Sequence, residues 1–137
     1  MIDSRALRFS HAQETGAYVI NLVDEVLAAA LNDTSGEWAY EVIEFDRAGV
    51  TPAISIDVPL PRVAEAPIAL ECRVTQIVPV IETTYTLIVG RVLRFPLRSD
   101  LLRPNGTLDA LRLRPLARLS GDEYATLGRV FEMKRPP

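Results

Sequence analysis

The sequence has 137 residues, of which 48% are hydrophobic and 24% charged, so it can form one folded domain with a core and is not typical of a disordered chain. The net charge of −3, with basic residues scattered until the C-terminal third, argues against a nucleic-acid-binding protein. No apolar run approaches the roughly 20 residues of a membrane span, and the N-terminal sequence lacks the apolar core of a signal peptide. One cysteine and one histidine exclude an intrachain disulfide and a Cys/His metal site, so a reducing cytoplasm is the simplest location.

The first third of the chain predicts helices separated by a strand. Residues 4–15 predict a helix that ends at Gly16, and residues 17–23 (AYVINLV) predict a short buried strand. Asp24 is positioned to cap a second helix over residues 25–32, whose alanines favour helix formation.

The middle of the chain predicts a change to strands. Residues 38–48 predict a helix, and residues 54–58 predict a short strand with its isoleucines and valine on one face. Prolines within 59–67 exclude a central strand or a long helix there. Residues 68–75 then alternate apolar and polar, and residues 85–95 (YTLIVGRVLRF) are rich in β-branched residues, which together predict a central antiparallel hairpin.

The C-terminal third predicts mostly turns. Residues 99–108 contain an Asn-Gly turn, residues 108–113 predict a helical turn, residues 120–122 predict another turn, and residues 128–133 predict a last strand. The four or five strands expected in all leave sheet edges without obvious partners. A partner chain or a larger fold would have to cover such edges.

Few side chains suggest chemistry by themselves. The sequence has no glycine-rich phosphate loop, GxSxG, HExxH or CxxC motif. His11 is interpreted as a surface helix histidine or as a polar contact at the edge of a ligand, and Cys72 as a core thiol. Arg118 can pair with a carboxylate or with an anionic ligand. Tyr124 is an interface anchor or a ring beside a planar ligand.

Four segments stand in a characteristic order: residues 14–23 (ETGAYVINLV), 44–50 (EFDRAGV), 61–72 (PRVAEAPIALEC) and 114–124 (RPLARLSGDEY). Together they resemble the flavin reductase-like family of FMN-binding split barrels. The resemblance implies a mainly β fold with flanking helices, an antiparallel split barrel, and a homodimer with FMN at the interface. It also implies a single domain over residues 1–137 that begins after the strands usual at the N-terminus of this family.

The resemblance further implies an oxidoreductase that passes hydride from NADH or NADPH to flavin. The family's Lys-Asp-Thr motif for the FMN phosphate corresponds to residues 6–8, where Arg8 is the basic residue. Arg8 and His11 are therefore predicted near the phosphate, and Arg118 and Tyr124 near the cofactor or the dimer interface.

Two alternatives remain open at this point. The chain can be a non-catalytic split-barrel protein that dimerises without binding flavin, as a remnant or as a partner subunit. It can also be a small β-barrel that binds another planar ligand.

Overall fold

A three-stranded antiparallel sheet forms the centre of the molecule. The computed structural model of the protein describes residues 11–34 and 44–137. The sheet has the order β1–β4–β5, with β1 at Ala17–Asn21, β4 at Ala69–Pro79 and β5 at Thr86–Arg94. Four strands of two residues each form two further pairs: β2 (Pro52–Ala53) with β3 (Arg62–Val63), and β6 (Ala117–Arg118) with β7 (Tyr124–Ala125).

Short helices flank these strands. Residues 11–15 are helical and end at Gly16, whose φ of +62° suits the left-handed helix stop that the sequence predicts. The remaining helical elements are the 3₁₀ turn Glu25–Leu27, α1 (Ala28–Thr34), α2 (Glu44–Ala48), the 3₁₀ turn Ser99–Leu101 and α3 (Ala110–Leu113). No helix in the described ranges is long and apolar enough to cross a membrane.

Asp24 begins the helical segment after β1, as predicted. Its carboxylate accepts a hydrogen bond from the backbone N–H of Leu27 at 3.1 Å. This bond satisfies one of the N–H groups that a helix start leaves without a partner. The first turn is a 3₁₀ turn, and the α-helix that follows reaches Thr34, two residues beyond the predicted end.

The predicted hairpin is confirmed and is the largest element of the fold. Strands β4 and β5 pair in antiparallel register from Glu71 opposite Arg94 to Pro79 opposite Thr86, with irregularities at Glu71/Cys72 and Val74/Gln76. The first half of β4 is buried and its second half is exposed. The hairpin therefore extends from the core into solvent.

The core lies at the closed end of this sheet. Ile68, Leu101 and Leu113 are at most 8% exposed and pack together, and Leu22, Leu70 and Leu97 cover them. Helix α3 brings Leu113 to this cluster. Asp109 caps the helix by accepting hydrogen bonds from the N–H groups of Leu111 and Arg112 at 3.1 and 3.2 Å.

The predicted strand at residues 54–58 is wrong. This segment is an irregular loop, and the strand in this region is Pro52–Ala53 instead. The N–H groups of Ile56 and Asp57 donate to the carboxylate of Glu71, at 3.0 and 2.7 Å, rather than to a neighbouring strand. Glu71 is 1% exposed, so the loop folds over a carboxylate that the alternation of β4 would leave in solvent.

Other predictions have mixed outcomes. The strand predicted at 128–133 is wrong, because residues 126–137 have no regular secondary structure and no paired edge within the described part of the chain. The strand after Gly16 is confirmed, but it is mostly half-buried rather than fully buried. The predicted helices over 4–15 and 38–48 are described only at residues 11–15 and 44–48, and their other residues lie outside the described ranges.

Candidate functional site

A half-open apolar cavity of about 1100 Å³ lies along β1. Leu27 and helix α1 form one wall, with Leu31 on the helix, and Phe45 of α2 extends it. The start of β5 and the turn before it form the opposite wall, through Tyr85 and Ile88. A concave apolar site with a few polar groups is the usual form of a small-molecule site.

The backbone of β1 supplies polar groups to this cavity. The N–H of Val74 donates to the carbonyl of Gly16 at 2.9 Å, and the N–H of Leu22 donates to the carbonyl of Ile68 at 2.8 Å. Because hydrogen-bonded pairs alternate in an antiparallel ladder, the intervening N–H and C=O of Val19 point away from β4. All residues of β1 line the cavity, so Val19 presents one donor and one acceptor to it.

Side chains hold the two ends of this exposed edge in place. Thr15 Oγ1 accepts from the N–H of Ala17 at 3.3 Å, and at the other end Asn21 Oδ1 accepts from the N–H of Val63 at 2.9 Å. Val63 belongs to β3, so the Asn21 contact fixes the proline-rich segment against the strand. The part of the β1 edge without a hydrogen-bond partner among the described residues is therefore short, and a hydrogen bond holds each of its ends.

Tyr18 projects from β1 over the neighbouring strands. It stands in register with Cys72, and a methyl group added at Gly90 would lie 2.8 Å from its Cε1 and Cζ atoms. Burial raises the pKa of the Tyr18 hydroxyl, and the neighbouring Cys72 thiol raises it further. Burial also raises the pKa of Cys72, which is 1% exposed, in agreement with the predicted core thiol. Both groups are therefore neutral at physiological pH.

His11 is the one basic side chain among the described residues that line the cavity. It is exposed on the helical segment before β1, as the sequence predicts, and its carbonyl accepts a hydrogen bond from the Thr15 hydroxyl at 2.7 Å. Arg8, the other residue predicted near a phosphate, lies outside the described residues. Whether these two residues act together stays a prediction.

Arg118 and Tyr124 lie together at a different place. They pair across strands β6 and β7, and the Arg118 guanidinium is 6.0 Å from the centroid of the Tyr124 ring. They line a smaller notch of about 520 Å³ with Ala28 and Asn32 of α1. Helix α1 contributes residues to both concavities, and the notch shares no lining residue with the β1 cavity. The predicted contact of this pair with a cofactor stays a prediction.

Sequence reasoning missed Tyr18, Gly90 and the outer edge of β1 as parts of the site. The motif ETGAYVINLV contains Tyr18 and Val19. Because this strand was predicted to be buried, we did not expect an unpaired backbone edge there. The single glycine within the apolar run of β5 was the available signal, because a glycine inside a strand often marks the close approach of another group.

Comparison with known proteins agrees with this fold. Residues 1–117 match the model of the flavin reductase like domain. An uncharacterised protein of Halalkalibacterium halodurans is 35% identical over 130 residues, which cover 92% of this chain and 62% of that protein.

Two solved structures are similar to the whole arrangement. Nitrilotriacetate monooxygenase component B from Bacillus cereus superimposes with a TM-score of 0.85 at 34% identity, over 92% of this chain and 64% of that one. Flavoredoxin of Desulfovibrio vulgaris superimposes with a TM-score of 0.82 at 20% identity, over 96% of this chain and 70% of that one. The second likeness shows the fold alone.

The sequence spans less than two thirds of the first two of these relatives, 62% of one and 64% of the other. The family match nevertheless extends over most of the sequence, and both solved structures superimpose on more than nine tenths of it. The chain therefore belongs to the flavin reductase like family and has its split-barrel fold.

Proposed function

We propose that this protein binds FMN in the β1 cavity and uses it as a flavin reductase, accepting hydride from NADH or NADPH. The observation that carries the proposal is the cavity itself, whose apolar walls enclose the polar outer edge of β1. Its volume of about 1100 Å³ is slightly above the range of about 300–1,000 Å³ that is common for small-ligand sites. Such a volume suits a flavin and a second planar ring beside it.

The chemistry of the lining residues fits the parts of FMN. An isoalloxazine ring needs apolar walls for its faces and hydrogen-bond partners for its pyrimidine edge. Tyr18, Leu31 and Ile88 supply apolar surface, and the N–H and C=O of Val19 offer a donor and an acceptor. His11 offers an N–H donor or a positive charge to a phosphate.

Bound FMN supplies the two-electron chemistry, whereas the protein supplies binding and orientation. In this proposal the wall of Leu27 and Leu31 excludes water from one side of the ring. The exposed ring of Tyr85, at the opposite wall, forms the entry for a nicotinamide. No described side chain needs to transfer a proton for hydride to move between two planar rings.

A second candidate function is a split-barrel protein that binds no flavin. It is favoured by one observation: His11 is the one basic side chain that the described residues contribute to the cavity. A phosphate bound there would have fewer charge-assisted hydrogen bonds than an arginine fork provides. Arg8 would supply this charge if its predicted position near the phosphate is correct.

We also propose that the protein is a homodimer. Support comes from β5, where Leu87 is 56% exposed, Val89 38% and Val92 45%, on both faces of a strand. Exposed apolar side chains on an edge strand commonly mark a protein interface. Arg118 and Tyr124 then act at the dimer interface or near a cofactor that reaches it. Sedimentation velocity at several protein concentrations tests this proposal, and a monomer at all concentrations would contradict it.

The test of FMN binding compares variants of the two concavities. Leu31→Asp introduces a charge into the β1 cavity, and Arg118→Ala removes the cation of the notch. Titration of FMN fluorescence is expected to show saturable binding to the unaltered protein and to Arg118→Ala, and weak binding to Leu31→Asp. Loss of binding only in Arg118→Ala would show that FMN binds in the notch instead. Absence of binding to the unaltered protein would support the alternative in which the protein binds no flavin. Oxidation of NADH and NADPH with FMN then tests the reductase activity.

A further inference from the structure

Gly90 is a glycine that the backbone conformation of β5 does not require. Its φ lies outside the positive range that favours glycine, whereas Gly16, Gly49, Gly106 and Gly121 all have positive φ. Glycine weakens a strand interior, so its presence there needs a local reason. The reason is the close approach of another side chain.

That side chain is Tyr18. A Cβ atom at position 90 would lie 2.8 Å from Cε1 and Cζ of the tyrosine ring, and closer still to its hydroxyl oxygen. Real Cβ atoms essentially never approach another heavy atom below 3.0 Å, so an alanine at this position and the present ring position exclude each other. The ring therefore lies where the side chain of residue 90 would be.

A displaced ring has free space on the side of the β1 cavity. Cys72, its register partner on β4, is 1% exposed and blocks movement into the sheet. Tyr18 itself lines the β1 cavity and is only partly buried. A side chain at position 90 would therefore push the ring toward the cavity.

We infer that Gly90 is a positioning residue that holds the Tyr18 ring against β5 and so sets the depth of the β1 cavity for a planar aromatic ligand. This inference rests on the proposed function for the identity of the ligand, FMN. The geometric part does not depend on that ligand. It concerns only where the Tyr18 ring lies and what the ring covers.

The test uses four variants: Gly90→Ala, Tyr18→Ala, the double variant Tyr18→Ala/Gly90→Ala, and Gly128→Ala. The last is a matched control, because a Cβ at Gly128 meets nothing within 4 Å and its φ is ordinary. Urea denaturation first establishes that each variant is folded under the assay conditions.

FMN affinity is the first measurement. Gly90→Ala is expected to weaken binding about tenfold or more, the scale of overpacking a filled site. The double variant is expected to bind within about twofold of Tyr18→Ala, because the three atoms nearest to the added methyl all belong to the Tyr18 ring and its hydroxyl. Gly128→Ala should bind as the unaltered protein does. A double variant that loses the same factor relative to Tyr18→Ala would show that Gly90 acts independently of Tyr18, and would overturn the inference.

Thiol reactivity is the second measurement, and it needs no flavin. Cys72 is the single cysteine of the chain and stands in register with Tyr18, so its rate of reaction with a disulfide reagent should rise when the cover of the Tyr18 ring is lost. Gly90→Ala should react about tenfold faster than the unaltered protein, approaching the rate of Tyr18→Ala. Gly128→Ala should react slowly.

The two measurements separate the possible failures. If the unaltered protein binds no FMN but Gly90→Ala still uncovers Cys72, the proposed function fails and the positioning role stands. If Gly90→Ala leaves both the thiol rate and FMN affinity unchanged, the positioning role is wrong whatever the protein binds.

Discussion

The two halves of β4 lie in opposite surroundings. From Ala69 to Cys72 the strand is covered on both sides, by the leucine core on one and by the loop bound to Glu71 on the other. From Thr75 to Pro79 it is mostly exposed, and β5 is its one pairing partner there among the described strands. One continuous strand thus joins a buried half, which pairs with β1, to an exposed half that extends into solvent.

Folding stability and ligand binding depend on different parts of this molecule. At the closed end, the buried carboxylate of Glu71 accepts hydrogen bonds from two backbone N–H groups, those of Ile56 and Asp57, which satisfies charge and donors together. The cavity lies beside α1 and beside β1, which pairs with Ala69–Arg73 in the buried half of β4. Changes in the core should therefore reduce stability, and changes in the cavity lining should alter binding.

Leu101→Ala tests the closed end with the largest expected effect. Leu101 is fully buried, so its removal should lower the free energy of unfolding by about 3–5 kcal/mol through lost burial and a residual cavity. Leu111→Ala is the matched control, because Leu111 is 58% exposed, and it should cost less than about 1 kcal/mol. Urea denaturation measures both. Equal losses in the two variants would contradict the assigned core.

Glu71→Ala should have the next largest effect. It should lower the free energy of unfolding by about 2–3 kcal/mol, because the N–H groups of Ile56 and Asp57 would lose a charged acceptor. Glu132→Ala, in the exposed tail, is the control and should be neutral. Hydrogen exchange of the Ile56 and Asp57 amides should accelerate in the first variant only. Unchanged exchange there would show that the carboxylate does not hold the loop.

Val78→Ala tests the exposed half of the same strand. Val78 is 42% exposed, so we expect the unfolding free energy to fall by less than about 1 kcal/mol. The measurement should be made at two protein concentrations, because a homodimer that buries Val78 would add a concentration-dependent loss. A concentration-independent loss as large as that of Leu101→Ala would remove the distinction between the two halves.

The ion pair between Arg94 and Asp57 should contribute less than Glu71 to the free energy of unfolding. Its atoms are 2.7 Å apart, but the side chains are 45% and 34% exposed, so Asp57→Asn should cost about 0.2–1 kcal/mol. The loss should shrink at high salt, since screening weakens exposed pairs. A larger, salt-independent loss would mean that this pair, rather than Glu71, holds the loop.

Acid should weaken the closed end through Asp109, with the smallest effect of this series. Its pKa is lowered chiefly by the N–H of Arg112, with help from Arg103. A group whose pKa is lower in the folded protein stabilises it above the unfolded value, and this contribution is lost as the pH falls below about 4. Asp109→Asn should keep the helix cap at neutral pH and reduce the acid dependence of urea unfolding. An unaltered acid dependence would contradict this role.

The sequence predicted the hairpin because alternating apolar and polar residues and a high content of β-branched residues are typical of a strand. The same alternation could not reveal that Glu71 is buried, since the covering loop comes from residues 56 and 57, which are distant along the chain. His11 was placed correctly on a helix surface, but the cavity beside it depends on the free backbone edge of β1. Backbone edges have no residue signature, so the site had to be found in three dimensions.

The most direct test of the central claim is the visible spectrum of the protein after incubation with FMN and dialysis. Flavin absorption should survive dialysis in the unaltered protein and in Ile54→Asp, whose isoleucine is 89% exposed and outside the cavity. That absorption should be lost in Ile20→Asp, which places a charge on the cavity wall. Equal retention by both variants, or no retention by the unaltered protein, would contradict the assignment of flavin binding to the β1 cavity.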